Sequence, residues 1–297
     1  MRKGTITILT LVFLGNFGFS RVSSFRDTLE TKTVLYKVIH PDHLYVSYLF
    51  GTHHAFGKPF FDSLIFAREA LLSSSILIKE NLNIPGHLAE DIINQRTRIT
   101  KWKKYLDKAD FVFIQSLFSS GNLDFNKMTP AELSAFLSRY YKERICIGKD
   151  LAARYFSLDD YIGLVAEENH IQVIGLETTE EQISLINNDL KGMPRKIHKK
   201  RLGYTIDRIR NRTQDNCSEI EWYRQMNFDF KLSEPCRNSL VLGDRNEKWM
   251  VQIKDLFVSQ NCFVAVGLSH LMFECGLISK LKASGYVVIP IEVRKGR

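Results

Sequence analysis

The sequence predicts an α/β fold, α+β in its layout: a central mixed sheet from two related β-α-β halves, flanked by helices, with a helical insertion between them. Three observations carry this expectation. Short runs rich in β-branched and aromatic residues occur near both ends of the chain and alternate with segments of helical period. The first and last of these units share Gly-x-x-His at a strand end, Gly51 with His54 and Gly267 with His270, and a carboxylate closes the following strand, Glu80 and Glu292. The middle of the chain is dominated by helical apolar spacing.

In order, residues 1–24 read as a signal peptide. Arg2 and Lys3 precede an apolar run from Ile6 to about Phe19, too short to cross a bilayer and followed by small residues at Ser20 to Ser24. No cysteine follows it, which argues against a bacterial lipoprotein. Residues 25–297 then form a single exported domain, with no integral membrane segment in the mature chain. TVLYKVIHPDHLYVSYLFG reads as a hairpin turning at His40-Pro41-Asp42-His43. FDSLIFAREALLSS is helical, and SILIKEN is a short buried strand ending in Glu80. Residues 86–145 are helical with breaks near Gly121 and at Thr129-Pro130, where Thr129, Pro130 and Glu132 spell a helix start. SLDDYIGLVAEENH is helical, IQVIGLE a strand ending on Glu177, and TTEEQISLINNDL a helix capped by Thr178 or Thr179. Residues 185–240 are polar and helical, an expected insertion or lid. Helix RNEKWMVQIKDLF, strand NCFVAVG, helix LMFECGLISKLKASG and strand YVVIPIEV complete the chain.

At 44% hydrophobic and 25% charged, the 297 residues have the composition of a folded globular chain and not of a disordered one. The net charge of +8 is concentrated in KGMPRKIHKKRLGYTIDRIRNR, residues 191–212. Its apolar positions Ile197, Leu202, Ile206 and Ile209 recur at helical spacing and it carries no RNA-binding signature, so it reads as a solvated helix face and not a nucleic-acid site. Of five cysteines, Cys146, Cys262 and Cys275 lie in apolar contexts and read as buried thiols, while Cys217 and Cys236 are the expected disulfide.

In open α/β sheets, ligands bind beyond the carboxyl ends of the strands. His53, His54, Glu80, Glu177 and His270 occupy such ends here, and His53 points away from His54 if the strand persists. Glycine three residues before each histidine is expected to let the backbone turn sharply. Two imidazoles with one or two carboxylates suit zinc, manganese or cobalt, and a spare glutamate could take a proton from a metal-bound water. Arg245 and Asn246 offer a cation and an amide to a developing oxyanion or a substrate carboxylate.

SYLFGTHH, the strand ending in Glu80, LDDYIGLVAEENHIQVIGLETTEEQ, RNEKWM and VAVGLSHLMFECGLISKLKASGYVVIPIE together resemble the TraB/GumN family across roughly residues 35 to 295. That family includes the secreted TIKI proteases and is similar in fold to erythromycin-esterase-like and haem-binding ChaN-like proteins. The resemblance implies a divalent metal, manganese or cobalt before zinc, on His54, Glu80 and His270. It also implies roles for Glu80 or Glu177 as general base and for Arg245 and Asn246 in orienting substrate. Two departures stand out. Phe273 and Glu274 replace the small residue and glycine of HLxGxxGL, which is expected to narrow the pocket, and Glu80 arrives as KEN where an apolar approach is usual. The expected function is an exported metal-dependent hydrolase, peptidase-like, acting on a peptide or small molecule. The alternatives are a non-catalytic protein holding haem, a metal complex or an anionic ligand, and a metal-free esterase-like hydrolase with a histidine base.

Overall fold

A computed structural model describes residues 32–42, 44–149, 157–226 and 229–294. The expected signal peptide, and His43 of the expected hairpin turn, lie outside the described residues. The chain is mixed α/β. It opens with strands β1 (Leu35–Ile39) and β2 (Val46–Thr52), helices α1 (Lys58–Asp62) and α2 (Ile65–Leu72), and strand β3 (Ile76–Lys79). Helices α3 (Ala89–Asn94), α4 (Lys108–Phe118), α5 (Pro130–Tyr140) and α6 (Leu158–Glu168) follow, then strand β4 (Gln172–Gly175). Helices α7 (Thr179–Asp189), α8 (Arg195–Arg210), α9 (Ser218–Gln225) and α10 (Asp244–Ser259) lead to strand β5 (Cys262–Gly267), helix α11 (Leu277–Ala283) and strand β6 (Val287–Ile291).

The strands form one six-stranded sheet in the order β4-β3-β5-β2-β1-β6. β1 runs antiparallel to both neighbours, while β2, β5, β3 and β4 are mutually parallel. The two β-α-β halves interleave: β5 of the second half inserts between β2 and β3 of the first. Their connections run in opposite directions along the sheet, so right-handed crossovers must lie on opposite faces. Accordingly, Ala67, Ala70 and Leu71 of α2 pack with Leu77 and the α6 residues Ile162 and Val165 on one face. Leu277, Ile278 and Leu281 of α11 pack with Ile76, Ile78 and Trp249 of α10 on the other. With both faces covered, Ile76, Leu77 and Ile78 in β3, and Phe263 to Val266 in β5, are all buried.

A third apolar cluster joins α4 and α5 to Leu202, Ile206 and Ile209 of α8, while Ile197 stays 43% exposed. The basic stretch is therefore the outer face of a packed helix, and the helical layer extends well before residue 185. α5 starts as its sequence demands. Thr129 accepts from the Glu132 backbone, and Glu132 answers to the Thr129 N–H at 2.8 Å. Glu132 is also buried and binds Arg96 through two N–H donors at 2.7 and 2.9 Å and Asn187 of α7 at 2.6 Å. Burial opposes its charge, but Arg96, the Thr129 N–H and Asn187 outweigh it and hold the carboxyl below its usual range.

The disulfide expectation is corrected. Cys146 bonds Cys217, and Cys236 bonds Cys275, with Cα atoms 5.4 and 5.5 Å apart; among the described residues only Cys262 is free. Cys217 and Cys236 do not join each other; each reaches outward to another part of the chain. Cys146 and Cys275 read as thiols because their neighbours are apolar, which is also the setting of a buried disulfide. No described helix is long and apolar enough to cross a membrane.

Glu132→Ala is expected to cost about 3 kcal/mol in urea denaturation, because Arg96 and Asn187 both lose their acceptor. A loss below about 1 kcal/mol would show that Glu132 does not tie α5 to α7.

Candidate functional site

The four parallel strands end side by side. Thr52 is in register with Gly267, and Lys79 with both Ala265 and Gly175. The ladder continues one step further, since the Glu177 N–H donates to the Glu80 carbonyl at 3.0 Å. Residues from four distant segments thus reach one edge, and the arrangement is the strand-end crevice of a parallel sheet.

At its centre is Arg245, in the first turn of α10 and only 13% exposed at the side chain. Nη2 donates to Glu80 Oε2 at 2.7 Å and to Glu177, Nε donates to Glu177 Oε1 at 2.9 Å, and Nη1 donates to His270 Nε2 at 2.9 Å and the Val241 carbonyl at 3.5 Å. All five guanidinium N–H groups are committed. Glu80 Oε1 takes a further bond from the Gly267 N–H at 2.7 Å. Burial works against the charge on Glu80, but Arg245, His54 and the Gly267 N–H more than offset it and keep the carboxyl below its ordinary range. Glu177 is shifted the other way: burial raises it, the Glu80 charge adds to this, and the bonds from Arg245 offset only part.

The two histidines of the paired motifs are in opposite states. Nε2 of His270 accepts from Arg245, so Nδ1 carries the proton and donates to Asn246 Oδ1 at 2.8 Å. Asn246 is fully buried and spends its amide N–H groups on the carbonyls of His270 and Cys275, at 3.2 and 2.8 Å. It positions His270. The ring lies 4.4 Å from that of Trp249, and burial together with Arg245 lowers its pKa to about 4 despite Glu80. His54, by contrast, has a side chain 54% exposed, and its Nδ1 meets Asp159 Oδ2 at 2.6 Å. Thr52 donates to the other oxygen of Asp159, also at 2.6 Å. The charge of Asp159 lifts His54 to about 9 against the effect of burial, and the same pairing holds Asp159 well below the usual carboxylate range. His53 turns the other way, to Glu219 of α9 at 3.1 Å.

His54 stands where two cavities meet. One, about 580 Å³, runs over Lys79, Glu80 and Arg245 under α5 and α7. The other, about 560 Å³, runs over Gly267 and Leu268 toward Tyr223 and Trp222 of α9. Phe273 lines neither. It is buried with Arg237 5.1 Å above its ring, so the expected narrowing does not occur. Its backbone sits at φ 68°, a left-handed conformation that suits glycine and costs a side-chain-bearing residue roughly 1–2 kcal/mol.

The structure therefore brings Glu80, Glu177, Arg245, Asn246 and His270 into one hydrogen-bonded cluster and places His54 apart from it, on Asp159. As arranged, these donors are engaged by protein partners. His54 faces Asp159, the acceptors of Glu80, Glu177 and His270 are turned onto a guanidinium, and no group of three metal-holding side chains forms among the described residues. The motif glycines also act differently from expectation. Neither has a positive φ. A Cβ on Gly267 would come within 3.1 Å of Glu80 Oε1, and one on Gly51 within 2.7 Å of Leu268, so both are there for close packing. Sequence reading missed Asp159. Adjacent acids in the first turn after Ser157 resemble dipole and cap residues, and only Asp160 serves that end, bonding Ser157 Oγ at 2.6 Å.

Arg245→Met is expected to destabilise the fold by about 3–5 kcal/mol at pH 7, leaving two buried carboxylates without their cation. In the native protein Glu80 contributes stability above the ordinary carboxylate range and loses it as pH falls. Without the guanidinium, burial raises both carboxyls, so the deficit of the variant should shrink towards pH 4. Equal deficits in urea at pH 7.5 and pH 5 would rule out the clamp.

No curated protein and no solved structure matches the chain. A family model, that of the TraB/PrgY/gumN family, matches residues 34–290, a span that contains all six strands but for the last residue of β6 and every strand-end residue described above. The chain belongs to the TraB/PrgY/gumN family.

Proposed function

We propose that the protein is an exported hydrolase of acyl bonds, peptidase- or esterase-like, in which His54 handles the proton. The observation that carries this reading is the 2.6 Å contact between His54 Nδ1 and Asp159 at the junction of the two cavities. The contact fixes the ring and leaves Nε2 to the cleft. A substrate spanning both cavities passes its bond beside His54. Water attacking the carbonyl gives its proton to Nε2, the imidazolium is stabilised by Asp159, and the same proton goes to the leaving group as the acyl bond breaks. Arg245 keeps no donor for substrate, so the cluster around it supports the cleft edge. The two disulfides support export, because such bonds persist in oxidising compartments.

The test is a pH profile of kcat/KM on a panel of chromogenic esters and peptides. His54→Ala should lower the rate by about 10²–10⁴-fold. In the native protein the rate should rise as pH passes about 9 and His54 gives up its proton. Asp159→Asn should move that midpoint down by about 1–3 pH units; an unmoved midpoint would exclude His54 as the base. Prolonged dialysis against a chelator should leave the rate unchanged. A loss restored by manganese or cobalt would establish instead the metal-dependent hydrolase that the TraB/GumN resemblance implies.

A further inference from the structure

Lys79, the last residue of β3, sits in an unusual position for an ammonium. Strand alternation sends it to the α6 face with Leu77, while Glu80 turns to Arg245. It is only 6% exposed. Its side chain runs past Gly163 of α6, where a Cβ would lie 3.0 Å from Nζ, so the missing side chain there is what makes room. Lys79 lines the cavity that runs over Glu80 and Arg245, together with His54 and Asp159.

Among the described residues it has no ion pair and no hydrogen bond, and its Nζ is not sealed from the cavity. The carboxylates around it are already taken. Asp159 is held by His54 and Thr52, Asp160 by Ser157 and Asn83, and Glu80 by Arg245 and Gly267. Arg201 of α8, which also lines this cavity, likewise lacks an acidic partner among the described residues, its side chain bonding only the Met193 sulfur. Keeping an unpaired cation nearly buried costs stability, and a bound anion removes that cost. The opposite wall is lined by small residues of α5, Ala131 and Ala135 among them, which leaves width for a slim chain.

We propose that Lys79 seats a carboxylate carried on the acyl side of the substrate, so that the cleft selects slim acyl groups ending in a negative charge. This rests on the cleft being the substrate site, but binding alone tests it. Glutarate and its neutral diamide, glutaramide, are titrated into native protein, Lys79→Met, and Lys103→Met, which removes an exposed lysine outside the cleft. Native protein and Lys103→Met should bind glutarate at least tenfold more tightly than glutaramide. Lys79→Met should lose that preference while its melting temperature rises, because an apolar side chain of similar length replaces a buried charge; Lys79→Gln serves if the Met variant does not fold. Native protein without the preference, or a Lys79 variant that keeps it, overturns the proposal. Anion binding that depends on Lys79 in a protein inactive on every ester and peptide would sink the hydrolase reading and leave this one standing.

Discussion

A single guanidinium organises the carboxyl-terminal edge of the sheet. Arg245 reaches from α10 to the ends of β3, β4 and β5 through Glu80, Glu177 and His270, and each of its N–H groups has an acceptor. Parallel strands end with unpaired backbone and with side chains of like charge brought close together. Glu80 and Glu177 are such a pair, adjacent because their backbones are hydrogen-bonded. In a nearly dry setting two carboxylates repel strongly, and one cation between them turns that repulsion into a brace. Everything at this edge is then placed relative to the brace: Gly267 approaches Glu80 because it has no side chain, and His270 is held neutral between Arg245 and Asn246.

The two halves of the fold use the same motif to opposite ends. His270 faces inward, buried against Trp249, with both nitrogens satisfied and its proton affinity suppressed. His54 faces the cleft, with its proton affinity raised by Asp159. The difference is one of neighbours. A guanidinium beside an imidazole disfavours the charged ring, and a carboxylate beside one favours it. Repetition of a β-α-β unit thus yields one structural and one cleft-facing histidine, because different helices cover the two strand ends.

The helical layer completes the cleft. α5 and α7 supply its far wall, tied together by the buried Glu132, while the disulfide from Cys146 to Cys217 secures the approach to α9 and that from Cys236 to Cys275 secures the loops beside α10 and α11. Closing such long loops restricts the unfolded chain and is worth roughly 4 kcal/mol each in the loop-entropy account. The cleft therefore has rigid margins on the sheet side and on the helical side.

Local chemistry determined a great deal here. The alternation of β-branched residues named the strands, Thr129-Pro130 with Glu132 named the start of α5, the matched Gly-x-x-His units pointed to His54, Glu80 and His270, and the end of the IQVIGLE strand pointed to Glu177. These are readable because period, capping and strand ends are properties of short segments. Pairing is not. Which cysteine meets which, that Asp159 receives His54, and that Arg245 occupies the point between the carboxylates depend on contacts across many residues of chain. Several partners of like chemistry compete for each such contact, and only the packing of α6 and α10 onto opposite faces of the sheet selects among them.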